Sequence, residues 1–251
     1  MKKLLLLSVF FLSLTFISCS DDDNNPPADE FSDVPVSAKT SEGNGFKYKT
    51  FYQENASPET RKGIIILAHG DDTDENDGTL NDQCKSLAQN GYIAVTTSYV
   101  TLNDATFAQI NQKFQENIEQ VIVHSMADYE IPRNKVIIGG LSRGGNNTFP
   151  LVLPGQDGIN PIAGIKGVIL MCSGGDVWKG SAILFPVAYM STENDDVMDA
   201  NANNFKNGLL DNMRPGVSEN SECLIIPGNG HCTATEQYKP FIIKKVRQWL
   251  P

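Results

Sequence analysis

Apolar positions along the chain fall into two periods that alternate. Ile64-Ile65-Ile66-Leu67-Ala68 is apolar on both faces, the pattern of a central strand in a parallel sheet covered by helices. Leu80–Gln89 reads as a helix, and Gly91 separates it from Tyr92–Thr97, a second strand. Between Phe107 and Tyr129, apolar residues recur at Phe107, Ile110, Phe114, Ile118, Val121, Ile122 and Met126. Those three- and four-residue steps predict a long helix lying on a sheet. Val136–Ile138 is the next strand, and Gly144 to about Leu151 a short helix stopped near Pro154. Gly167–Met171, Phe185–Met190 and Cys223–Ile226 are further strands, Phe46–Tyr52 an edge strand, and Tyr238–Leu250 a final helix. The alternation predicts a three-layer α/β sandwich with a mostly parallel central sheet.

The N-terminal residues follow another pattern. Lys2 and Lys3 precede an apolar run from Leu4 to Ile17, too short for a comfortable membrane span and typical of a secretory signal. The run ends in Phe16-Ile17-Ser18-Cys19, followed by Ser20-Asp21-Asp22-Asp23. This resembles a bacterial lipoprotein leader over residues 1–18, which implies that Cys19 is fatty-acylated and anchors the chain to a membrane. The acidic residues after Cys19 are similar to the surface-export tag of Bacteroidetes lipoproteins, which implies a cell-envelope location as a surface-exposed outer-membrane lipoprotein. Residues 19–45, rich in Pro, Ser, Asp and Glu, are expected to be a flexible acidic tether. Residues 46–251 then form one globular domain.

Composition narrows the picture only a little. The formal net charge is −10, and no basic patch speaks for nucleic acid. Beyond Cys19 lie Cys84, Cys172, Cys223 and Cys232, an even set that permits two disulfides in an oxidising compartment. Cys172 and Cys232 fall just beyond strand ends, so that pair could staple two loops of a site. Their spacing is unlike a zinc cluster.

The chemistry gathers around one serine. Ser142 stands in Gly139-Gly140-Leu141-Ser142-Arg143-Gly144-Gly145, directly behind a strand and before a helix. This G-x-S-x-G elbow lifts a serine hydroxyl clear of its neighbours. A serine hydroxyl needs a base, and the base needs an orienting carboxylate. Of three histidines, His124 lies within the long helix and His69 ends a strand, where it is expected to shape a turn. His231, in the glycine-rich Pro227–Cys232 loop after the last strand, is the candidate base. Asp195 and Asp196 both follow the strand before it and are both placed to reach the base, with Asp176 a topological substitute. An oxyanion would be met by backbone N–H groups of Arg143, at the helix start, and of Asp71, after Ile64–Ala68.

Leu67-Ala68-His69-Gly70, the serine elbow, Ser191–Val197 and Gly230-His231 together resemble the α/β-hydrolase superfamily. The likeness is to its compact dienelactone-hydrolase-like and cutinase-like esterases, including polyester hydrolases. The resemblance implies the α/β-hydrolase fold and ester hydrolysis through an acyl-enzyme on small or polymeric esters, with no cofactor and no metal. It favours Asp195 over Asp196, because Ser191-Thr192-Glu193-Asn194-Asp195 has the spacing of the family's acid turn. It also implies a substrate-facing role for Trp178. Asp71-Asp72 stands where such polyester hydrolases often carry an aromatic residue. A serine peptidase of the same fold and a catalytically inactive carbohydrate- or lipid-binding protein are the rival readings. The alternation of Asp72, Asp74 and Asn76 resembles a calcium loop, but its glycine comes one position late and no closing glutamate follows. A solvated loop is expected there.

Overall fold

The computed structural model describes residues 34–251, apart from 101, 103 and 104. Cys19 and the leader lie outside the described residues, as does the first part of the 19–45 stretch. The strands are β1 (Ser37–Glu42), β2 (Lys47–Tyr52), β3 (Ile64–Ala68), β4 (Ile93–Thr97), β5 (Val136–Leu141), β6 (Gly167–Met171), β7 (Val187–Asp195), β8 (Ala200–Asn201) and β9 (Glu222–Asn229). The helices are α1 (Gly78–Gln89), α2 (Phe107–Tyr129), α3 (Arg143–Val152), α4 (Val177–Ala182), α5 (Ala202–Leu210), α6 (Val217–Asn220) and α7 (Tyr238–Trp249).

All nine strands join one sheet in the order β1-β2-β4-β3-β5-β6-β7-β8, with β9 also paired to β7. Pairing is parallel from β4 through β3, β5, β6 and β7 to β9, and antiparallel at β1, β2 and β8. Successive residues of a strand point to opposite faces. Ile64, Ile66 and Ala68 therefore pack with Phe114, Ile118 and Val121 of α2, while Ile65 and Leu67 pack with Leu80 and Leu87 of α1 and Ile242 and Val246 of α7. Two apolar layers on one sheet make the expected three-layer sandwich.

Helix α2 spans the residues its periodicity predicts. It opens on a capping box between Thr106 and Gln109, and stops at Glu130, which takes the left-handed conformation at φ 57° just before Pro132. Two boundaries differ from expectation. Strand β1 lies inside the stretch read as tether, so the ordered domain begins before residue 46, and β2 is an inner strand instead of an edge. Ser37–Glu42 carries almost no apolar residue; its order comes from backbone pairing with β2, which hydropathy does not encode. Strand β7 continues through Ser191–Asp195, so the acid turn expected there is strand up to Asp195 itself.

Candidate active site

Ser142 occupies the bend between β5 and α3 with φ 53° and ψ −118°, a conformation costly for a residue with a Cβ. Its N–H donates to Met171 O at 2.7 Å, and its carbonyl accepts from Asn146 N–H at 3.0 Å. These bonds hold the strained residue between sheet and helix. Gly144 has to be glycine: a Cβ there would fall 2.3 Å from Ala68 O and 2.4 Å from His69 O. The elbow thus presses α3 directly onto the end of β3.

His231 leaves the end of β9 and reaches the serine, with Nε2 2.7 Å from Ser142 Oγ. Its Nδ1 lies 2.8 Å from Asp195 Oδ2 and 3.0 Å from Oδ1. A carboxylate can only accept, so Nδ1 carries the proton and Nε2 is the bare acceptor facing the hydroxyl. Asp195 is 2 % exposed, and its Oδ1 also accepts the N–H groups of Val197 at 3.1 Å and Met198 at 3.0 Å. Burial with full hydrogen bonding fixes the carboxylate in place. Neither Asp196 nor Asp176 is bonded to His231; Asp176 caps α4 by accepting Lys179 N–H at 2.8 Å.

The histidine loop is held on both sides. Gly230 N–H donates to Asn194 O at 3.1 Å, and the Thr192 hydroxyl donates to Gly230 O. Immediately after the histidine, Cys232 forms a disulfide with Cys172, which follows β6. The two α-carbons are 5.3 Å apart. The expected staple of two site loops is therefore present, and among the described residues no second one joins it. Cys84 is buried and Cys223 half-buried, both free thiols. Burial pushes the Cys84 thiol up, and that of Cys223 to about 12.

Across the serine lies the turn after β3. A Cβ on Gly70 would sit 3.3 Å from Ser142 Cβ, so this turn is in direct reach of the hydroxyl. Arg143 is the first residue of α3, and its N–H has no intrahelical acceptor. The side chains of Asp71 and Arg143 add a contact that sequence reasoning did not foresee, an ion pair at 3.0 Å. His69 is buried and stacked on Tyr99 with ring centroids 4.5 Å apart, and its Nδ1–H donates to Gly70 O. It shapes the turn.

The acidic loop that follows is used structurally. Asp74 accepts Asn76 N–H at 2.7 Å, and Asp77 caps α1 by accepting Leu80 N–H at 3.0 Å. Among the described residues no group of three or more His, Cys, Asp or Glu side chains could hold a metal ion. No helix among them is long and apolar enough to cross a membrane.

Beside the elbow a cavity of about 440 Å³ opens along α3, lined by residues that include Asn146, Phe149, Gly174, Lys179 and Met198. Trp178 does not line it. Its segment is the helix α4, which carries the ring outward, 53 % exposed, while Lys179 one residue later faces the cavity. The resemblance to cutinase-like esterases implied a substrate-facing Trp178; α4 leaves its ring on the surface, outside this cavity. Phe149, seven residues and about two helical turns beyond the serine, borders the cavity but is itself buried in the core.

No protein-family model matches the chain, and no curated protein matches it. Solved structures do. A protein assigned as a dienelactone hydrolase from Klebsiella pneumoniae superposes with a TM-score of 0.60 at 13% identity, covering 85% of this chain and 95% of that one. The feruloyl esterase module from Clostridium thermocellum, complexed with sinapinate, gives 0.60 at 18% identity over 86% and 88%. Thermogutta terrifontis esterase 2, phosphonylated by cyclosarin, gives 0.59 at 14% identity over 85% and 93%. The chain has the fold of the α/β-hydrolase esterases.

Proposed function

We propose that the protein is a serine hydrolase of carboxylic esters. The observation that carries the reading is the continuous chain from buried Asp195 through His231 to Ser142, 2.8 Å and 2.7 Å in its two links. His231 takes the hydroxyl proton as Ser142 Oγ attacks the ester carbonyl. Asp195 stabilises the imidazolium that forms. The N–H groups of Asp71 and Arg143 receive the oxyanion; each such donor contributes on the order of 10²-fold or more to rate. The tetrahedral intermediate collapses as His231 delivers the proton to the departing alcohol, leaving an acyl-Ser142. Water then attacks the acyl group, with His231 again as base, and Ser142 is released with its proton restored.

The fold neighbours support ester substrates, being described as esterases and a dienelactone hydrolase. That one of them was captured phosphonylated makes a fluorophosphonate the natural probe for Ser142. Labelling of the wild-type protein, absent in Ser142→Ala, together with loss of p-nitrophenyl acetate hydrolysis in the same variant, is the expected result. Retained hydrolysis in Ser142→Ala would overturn the assignment. The acyl anchor at Cys19 and the envelope location belong to the same proposal. Fatty-acid labelling of the native chain that persists in Cys19→Ala would overturn that part alone.

A further inference from the structure

The cavity beside the elbow carries an unmet demand for hydrogen bonds. Asn147 Nδ2 and Gln156 Oε1 are buried and have no hydrogen-bond partner, although both residues line the cavity. Buried polar atoms without partners are rare in folded proteins, because each forgoes the bond it made to water. One is a donor and the other an acceptor. Their terminal amide torsions are soft, so a small rotation turns either group to the cavity side. Close by, Lys179 Nζ sits over the Phe149 ring at 4.8 Å, with its side chain 25 % exposed.

Hydrogen bonds join two residues of the cavity wall to the candidate triad. Asn146 N–H donates to Ser142 O, and Met198 N–H donates to Asp195 Oδ1 at 3.0 Å. Asn146 Oδ1 also accepts Gly174 N–H at 2.9 Å, so the wall on that side is fixed. Asn146 lies four residues, just over one helical turn, from the serine, about 6 Å along the axis. The cavity wall thus includes residues four and three positions beyond Ser142 and Asp195, which is the ground for placing a group held there on the molecule whose carbonyl is at Ser142.

We infer that this cavity is the subsite for a polyhydroxylated half of the ester, its hydroxyl groups bonding Asn147, Gln156 and Lys179. A hydroxyl both donates and accepts, so one ligand chemistry answers an unpaired amide donor and an unpaired amide acceptor together. It does so even if the oxygen and nitrogen of either amide are interchanged. A plain alkyl chain would leave both unmet. Two amides and an ammonium around one cavity suit the closely spaced hydroxyls of a sugar ring or polyol. The inference rests on the ester-hydrolase reading and names its substrate class.

The test compares p-nitrophenyl acetate and ethyl acetate with two sets of polyol esters: mono-acetylated hexoses and pentoses, and methyl esters of hexuronic acids. The first set places the hydroxyls on the alcohol side and the second on the acyl side. For one set, kcat/KM relative to ethyl acetate is expected to be at least tenfold higher. Asn147→Leu and Gln156→Leu should each lower that ratio about three- to tenfold, the worth of one lost hydrogen bond. Equal ratios for all esters, or ratios unmoved in both variants, would overturn the subsite. Methyl glycosides titrated into Ser142→Ala protein give a readout free of catalysis. Binding there that is lost in the double variant with Asn147→Leu supports the subsite even if no ester is turned over, and absence of binding with intact esterase activity overturns it alone.

Discussion

The carboxylate of Asp71 and the guanidinium of Arg143 meet at 3.0 Å, joining the turn after β3 to the first residue of α3. Their own backbone N–H groups are the two proposed oxyanion donors, so the side chains set the spacing of a pair of main-chain atoms. Both are about half exposed, which limits an ion pair to roughly 1 kcal/mol or less. Asp71→Asn and Arg143→Gln should each lower kcat about two- to fivefold with little change in KM. A double-mutant cycle should show the two losses coupled, and the coupling should weaken in 0.5 M salt. Fully additive losses would mean that the pair does not hold the two segments.

Backbone strain at Ser142 predicts an order of stabilities. Ser142→Ala removes the hydroxyl but keeps a Cβ at φ 53°. Ser142→Gly removes both, relieving about 1–2 kcal/mol of left-handed strain against about 0.5–1 kcal/mol of added chain entropy. Both variants should be inactive, and the glycine variant should melt at the same or a higher temperature. A glycine variant several degrees less stable than the alanine one would mean that the elbow is not strained.

The Cys172–Cys232 disulfide closes a loop across a sequence separation of 60 residues and ends on the neighbour of His231. Loop-closure entropy assigns such a link about 4 kcal/mol, with 2–4 typical. Dithiothreitol, or Cys172→Ala with Cys232→Ala, should lower Tm by several degrees and kcat more steeply than KM. Unchanged Tm and kcat on complete reduction would contradict this.

Alkaline pH should unfold the protein through its tyrosines. Burial raises Tyr92, Tyr99, Tyr129 and Tyr238 to about 12 from an ordinary 10.0, and raises Tyr189 further. Between those values the unfolded chain releases protons that the folded one retains. The stability tied to these groups is therefore complete below pH 10 and lost as pH climbs toward about 12. Tyrosinate absorbance and loss of far-ultraviolet circular dichroism should rise together, late and cooperatively. Tyrosinate appearing near pH 10 with the fold intact would count against it.

Much of this architecture was legible because hydrophobic burial leaves a period in the sequence. Ile64–Ala68 and Phe107–Tyr129 are bounded as their patterns predict. The candidate triad was legible for another reason: Ser142 sits in a spacing that only a tight elbow requires, and just three histidines compete to serve it. The choice of Asp195 over Asp196 needed the resemblance, since the two differ only in where β7 ends. Other features carry no local signal. Strand β1 is polar and owes its order to a neighbour, and α5 hides behind asparagines with only Phe205 and Leu209 as large buried residues. Lone amides such as Asn147 and Gln156 acquire meaning only when packing brings them to one wall.

Strand β1 stands at the opposite end of the strand order from β7 and β9, which carry Asp195 and lead into His231. Its first residue, Ser37, pairs with Tyr52, the last of β2. A pull on the chain ahead of Ser37 would enter at that corner. There it would unzip antiparallel pairs one by one, beginning far from Ser142. Such a pull would open the outer hairpin before it reached the parallel strands under the elbow.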